Sequence, residues 1–167
     1  MQMDEAIPGT PGQVRQVSAQ SSGASLGHLQ EPSAGEGGVM NEGVAGLKYR
    51  VLVVDDDPLM LSVLKWYLER AGFDATIVTN VCEGLDAASR ELPFAIIMDV
   101  MMPGVGGLQA LRKLKSQDST RHIPVIIITA NDHPSTIREA NLGGAWSILI
   151  KPFSPAKLIS EIERLTK

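Results

Sequence analysis

Four short apolar runs in this chain each stop at a polar residue. Val51-Leu52-Val53-Val54 leads into Asp55-Asp56-Asp57, and Phe94-Ala95-Ile96-Ile97-Met98 leads into Asp99. Val125-Ile126-Ile127-Ile128 leads into Thr129, and Ile148-Leu149-Ile150 leads into Lys151-Pro152. Unbroken apolar runs of this length, bounded by turn formers, read as strands buried on both faces. If such strands are parallel, their polar ends share one edge of one sheet. Carboxylates, a hydroxyl and an ammonium would then meet there.

The intervening segments read as helices. Asp57 suits an N-cap and Pro58 a first helical position, opening a helix near 58–71 that Gly72 ends. Leu61, Leu64, Trp66, Tyr67 and Leu68 give that helix a broad apolar stripe. A strand near 75–79 is less apolar and suits a sheet edge. A helix near 82–90 follows. Pro103 to Gly107 reads as a flexible connection. Leu108, Leu111 and Leu114 mark a helix ending near Ser116, and Pro124 opens the fourth strand. A short helix near 134–142 stops at Gly143-Gly144, and a fifth strand spans about 147–150. Pro155 begins a last helix with Leu158, Ile159, Ile162 and Leu165 toward the core.

Five strands alternating with five helices predict an α/β fold: a five-stranded parallel sheet with right-handed crossovers and helices on both faces. A common order for this count is 2-1-3-4-5, the flavodoxin-like (βα)5 three-layer sandwich. It sets strands one and three side by side where the winding reverses. Ligands bind there, beyond the carboxyl ends of the strands, and Asp55, Asp56 and Asp99 would converge on that point.

Residues 1–47 differ from the rest. They are rich in Gly, Ser and Gln and hold no aromatic residue, so they bury too little apolar surface to offset ordering entropy. The expectation is a disordered low-complexity tail over 1–47 and one folded domain over 48–167. The chain's net charge of −4 resides in that tail, leaving the domain balanced. A balanced domain has no basic excess for binding nucleic acid directly. Arg112-Lys113-Leu114-Lys115 is the single basic strip in the domain and reads as a solvated helix face. Cys82 is the only cysteine, which excludes a disulfide framework and suits a reducing compartment. No apolar stretch has membrane-spanning length and no secretory signal is visible. The expectation is a soluble cytoplasmic protein without membrane contact.

Three neighbouring carboxylates repel one another, and a bound cation removes that cost. Magnesium takes hard oxygen ligands and keeps several waters, so an acidic cluster beyond a sheet edge suits it. Phosphoryl transfer relies on positioning and charge neutralisation. A metal on one side, a Lys ammonium on the other and a Thr hydroxyl would supply both. A carboxylate can serve as nucleophile, forming an aspartyl phosphate, and Asp99 stands alone at the end of its central strand.

The stretches Val51–Pro58, Ile96–Gly104, Val125–Ala130 and Lys151-Pro152-Phe153, in this order and spacing, resemble the receiver domain of two-component response regulators, similar to single-domain chemotaxis-type regulators. The resemblance covers about 120 residues and implies roles by position. Asp99 would accept phosphate from a histidine kinase or phosphotransfer protein. Asp56 would hold Mg2+ directly, Asp55 through water, and the Met101 carbonyl would complete the protein ligands alongside Asp99. Thr129 would swing toward the phosphoryl group. Lys151 would pair with Asp99 and then with the phosphate, and its bond to Pro152 is often cis in this family. The implied function is a phosphoacceptor, not an enzyme acting on a separate substrate, with phosphorylation controlling a downstream protein target. No DNA-binding domain is expected after the last helix.

Each residue also has a plainer reading. Asp57 is a cap rather than a ligand. Thr129 could satisfy the backbone at a strand end, and Lys151 could be an ordinary exposed lysine. Met98, Met101 and Met102 suit packing, because thioethers do not suit magnesium. His28, His122 and His133 read as solvated loop residues, and Cys82 as an inert thiol. The family pattern also has departures. The Tyr or Phe usual in the last strand is Ile148, Trp146 and Ser147 stand where acidic residues are common, and Gly106 replaces an acidic residue of the Pro-Gly loop. The missing aromatic motivates an alternative: a phosphorylation-independent interaction module on the same fold. A phosphatase of the haloacid-dehalogenase type is a third reading, but Val100-Met101-Met102 lacks the second acid such an enzyme needs after its nucleophile.

Overall fold

The computed structural model describes residues 15–17, 48–104 and 106–167. The strands are β1 (Arg15–Val17), β2 (Arg50–Val54), β3 (Asp74–Val78), β4 (Ala95–Asp99), β5 (Val125–Thr129) and β6 (Ser147–Ile150). The helices are α1 (Pro58–Arg70), α2 (Val81–Glu91), α3 (Gly107–Ser116), α4 (Pro134–Leu142) and α5 (Pro155–Glu163), with a short 3-10 turn at Arg164–Thr166.

The strands form one six-stranded sheet in the order β1-β6-β5-β4-β2-β3, every pair parallel. From β2 to β6 this is the five-strand order 2-1-3-4-5 predicted from the sequence. Strand β1 is an addition that the sequence does not predict. It lies inside the segment expected to be a disordered tail; the rest of that segment, 1–14 and 18–47, falls outside the described residues. Composition hides such a strand, because pairing with a sheet edge engages the backbone rather than apolar side chains.

Strands β4 and β5 are buried along their whole length, which is why they read as unbroken apolar runs. Successive side chains alternate between two cores. Val51, Val53, Ile97, Ile126, Ile128 and Leu149 pack against Leu61, Leu64 and Leu68 of α1 and Leu158 and Ile162 of α5. Leu52, Val54, Ile96, Met98, Ile127 and Ile148 pack against α2, α3 and α4 through Leu85, Leu111 and Ile137. Each fully buried aliphatic side chain stabilises the fold by roughly 1.5–3 kcal/mol. Strand β3 is the more exposed edge that its composition predicts.

The α1 stripe is narrower than expected. Leu61, Leu64 and Leu68 are buried, whereas Trp66 is 52% and Tyr67 37% exposed. Five and six positions on from Leu61, at 3.6 residues per turn, they point away from the sheet. Outside, Trp66 stacks edge-on with Tyr67 and carries the Arg70 guanidinium 4.8 Å above its ring. The basic strip on α3 is also more than a solvated face. Arg112 pairs with Glu139 of α4. The Lys115 ammonium donates to the carbonyls of Ile123 (2.6 Å) and Arg121 (3.2 Å), and burial lowers its pKa.

Candidate functional site

Strands β2 and β4 are neighbours, with Val54 opposite Met98. The chain leaves β2 toward β3 on one side and returns to β4 on the other, so the winding reverses between them and opens a crevice at their carboxyl ends. Asp55, Asp56 and Asp99 sit there. One carboxylate oxygen from each lies within 4.8 Å of the others. Asp55 and Asp99 are buried and Asp56 is exposed.

Three strand ends use the same local device. The Asp57 N–H donates to Asp55 Oδ1 (2.8 Å), the Met101 N–H to Asp99 Oδ1 (2.8 Å) and the Asn131 N–H to Thr129 Oγ1 (3.0 Å). A short polar side chain accepting from the amide two residues on turns the chain out of the strand and fixes its own rotamer. This orients the two buried carboxylates before any ligand arrives. Asp57 caps α1 as expected, its Oδ1 accepting from the Leu59 N–H (2.9 Å).

Lys151 follows β6 directly. Its ammonium donates to Asp99 Oδ2 (2.6 Å) and Asp55 Oδ2 (3.1 Å), bridging two strand ends. Its backbone N–H donates to the Thr129 carbonyl (2.8 Å), and the Lys151–Pro152 peptide is cis. Burial raises the pKa of Asp55; the Asp57 amide and Lys151 pull the other way without cancelling it. For Lys151, burial works to lower the pKa, but the bonds and charges of Asp99 and Asp55 outweigh it and the net shift is upward. Lys151 is therefore held as a cation, and Asp55 is a carboxylate whose charge is not fully compensated by the protein.

That shortfall is charge that a bound cation would supply. Three carboxylates converging against one ammonium, all with oxygen donors, fit a hard divalent ion such as magnesium.

Thr129 is buried at the end of β5, next to β4. Its hydroxyl accepts from the Asn131 amide and donates to the Asn131 carbonyl (3.4 Å), which is the strand-end role weighed for it above. Ile148 is fully buried in the core shared with α2, α3 and α4. Trp146 is 44% exposed. His133 is not merely a loop residue: it caps α4, its ring nitrogen accepting from the Ser135 N–H.

Sequence reasoning missed two things. The amides of Asp57 and Met101 are part of the site, a role signalled by the Asp residues two positions before them. Gly107 is the other. A Cβ there would lie 2.1 Å from the Asp99 carbonyl oxygen. The Pro-Gly loop is thus not only a flexible connection: it brings the start of α3 against the backbone of Asp99.

A family model described as the response regulator receiver domain matches residues 51–163. The chain belongs to the response regulator receiver family. It is 36% identical over 118 residues to the response regulator PleD of Caulobacter vibrioides, covering 71% of this chain and 26% of that protein. It thus spans about a quarter of that relative's length. It is 35% identical to protein PilH of Pseudomonas aeruginosa and 33% identical to the polar-differentiation response regulator DivK of Brucella anthropi, covering 93% and 92% of those proteins and 68% of this chain. Among solved structures, the receiver domain of a Francisella response regulator superposes with a TM-score of 0.67 at 32% identity, covering 72% of this chain and all of that one. A receiver domain of a Pseudomonas aeruginosa sensor histidine kinase, solved with magnesium coordinated in its active-site cleft, gives a TM-score of 0.67 at 28% identity with the same coverage. Aspartyl phosphorylation with magnesium is the general function of this family.

Proposed function

We propose that this receiver domain accepts phosphate on Asp99, with Asp55, Asp56, Asp99 and the Met101 carbonyl holding Mg2+. The supporting observation is the contact of Lys151 with both buried carboxylates beside the exposed Asp56. When bound, the ion supplies the positive charge that the three carboxylates lack and neutralises phosphoryl oxygens. Asp99 supplies the nucleophile. One of its carboxylate oxygens attacks phosphorus, the bond from phosphorus to the donor's leaving atom breaks, and its electron pair departs with the donor. Lys151 keeps a cation beside Asp99 throughout. The Thr129 hydroxyl, on release from Asn131, donates to a phosphoryl oxygen.

The donor is a histidine kinase or a phosphotransfer protein, and the output is binding of a downstream protein target in the cytoplasm. The module is a phosphoacceptor rather than a turnover phosphatase. The complete acid-and-lysine set favours phosphorylation over the phosphorylation-independent alternative, since that alternative has no use for it. Among the described residues, no helix is long and apolar enough to cross a membrane, and folding is assigned to residues 48–167.

Incubation with phosphoramidate and magnesium, read by intact mass, tests the proposal. The expected result is a gain of one phosphate that requires magnesium and is lost in Asp99→Ala. An equal gain in Asp99→Ala overturns it. Hydrolysis of a generic phosphate ester through many turnovers would instead favour a phosphatase.

A further inference from the structure

Strand β6 is the last strand of the five-stranded core, and its outer side is an open row of main-chain donors and acceptors, a template for another strand. The chain's own β1 takes that row. Arg15 lies opposite Ser147, Gln16 opposite Ile148 and Val17 opposite Leu149, in parallel.

One feature makes this attachment separable from the fold. It is three residues long, so few ladder bonds hold it. The five core strands, by contrast, carry two continuous apolar cores.

We propose that the outer edge of β6 is a strand-docking site and that residues 15–17 are its occupant in cis, a detachable guard. Docked, the segment covers the edge against pairing with a second extended strand. Detached, it leaves Ser147 to Leu149 open. The site lies on the strand that delivers Lys151 to Asp55 and Asp99, so the guard and the acidic crevice share one structural element.

Hydrogen exchange on the full chain tests this, comparing the wild type with a Gln16→Pro, Val17→Pro double variant, since proline cannot donate to a ladder. Exchange in the segment 147–149 is expected to rise on the order of tenfold in the variant while β2 and β4 stay protected. A synthetic peptide of residues 11–20, added in trans to the variant, is expected to restore protection. Unchanged exchange at 147–149 overturns the proposal. Loss of protection across β2 and β4 also overturns it, because the segment would then be integral to the fold. Failure of the peptide to restore protection rejects the docking site.

Discussion

Lys151 holds the site together because two buried carboxylates depend on it. Replacing it with Met removes their only cationic partner among the described side chains and leaves both desolvated. The expected cost is about 1–3 kcal/mol by urea unfolding without magnesium, and less with it, since the ion takes over part of the compensation. The pH behaviour follows from the signs of the two shifts. Lys151 is raised, so its contribution to stability is complete below 10.5 and is lost as pH rises through its higher folded value. Asp55 is raised by burial, so in the metal-free protein its contribution grows as pH falls through its folded value toward 3.8. Magnesium needs the charged form. Its affinity, measured calorimetrically across pH, is expected to fall on acidification already above pH 3.8. A flat affinity down to 3.8 would contradict the burial of Asp55.

At the scale of elements, the strand ends do more than terminate a sheet. Asp55, Asp99 and Thr129 each bind the amide two residues on, so the residues that suit the chemistry also turn the chain. Gly107 belongs to the same arrangement. Gly107→Ala is expected to cost about 3 kcal/mol, because its Cβ would overlap the Asp99 carbonyl, and to slow phosphorylation by shifting Asp99. Wild-type stability and rate in this variant would show that the loop yields. The Asp57 cap is worth about 1 kcal/mol, so Asp57→Ala is expected to lower stability by that amount and leave phosphorylation intact. The acids, the threonine and the lysine were legible because each follows an apolar run that a buried strand requires. Gly107 was not, because close approach between a loop and a strand leaves no periodic signal. Trp66 and Tyr67 fall outside the buried part of the expected α1 stripe for the opposite reason: an apolar residue beside a periodic stripe counts toward it in composition but not in angle.

For the whole molecule, the order of five strands followed from alternation and from apolar runs buried on both faces, and it alone brings residues 44 positions apart, Asp55 and Asp99, to one crevice. The edge strand at Arg15–Val17 could not be read this way, since strand pairing is a backbone interaction that leaves no apolar run in the sequence. Magnesium links the site to global stability. At a hundred times its dissociation constant it is expected to add about 2.7 kcal/mol. Asp56 is exposed, so Asp56→Ala should abolish that increment and leave metal-free stability nearly unchanged. An undiminished magnesium effect in this variant would remove Asp56 from the ligand set.

The central claim concerns which carboxylate bonds to phosphorus. Treating the phosphorylated full chain with borohydride reduces an aspartyl phosphate to an alcohol, and peptide sequencing then locates it. The account predicts reduction at Asp99 and at no other acid. Reduction at Asp55, Asp56 or Asp57, or at none, would contradict it.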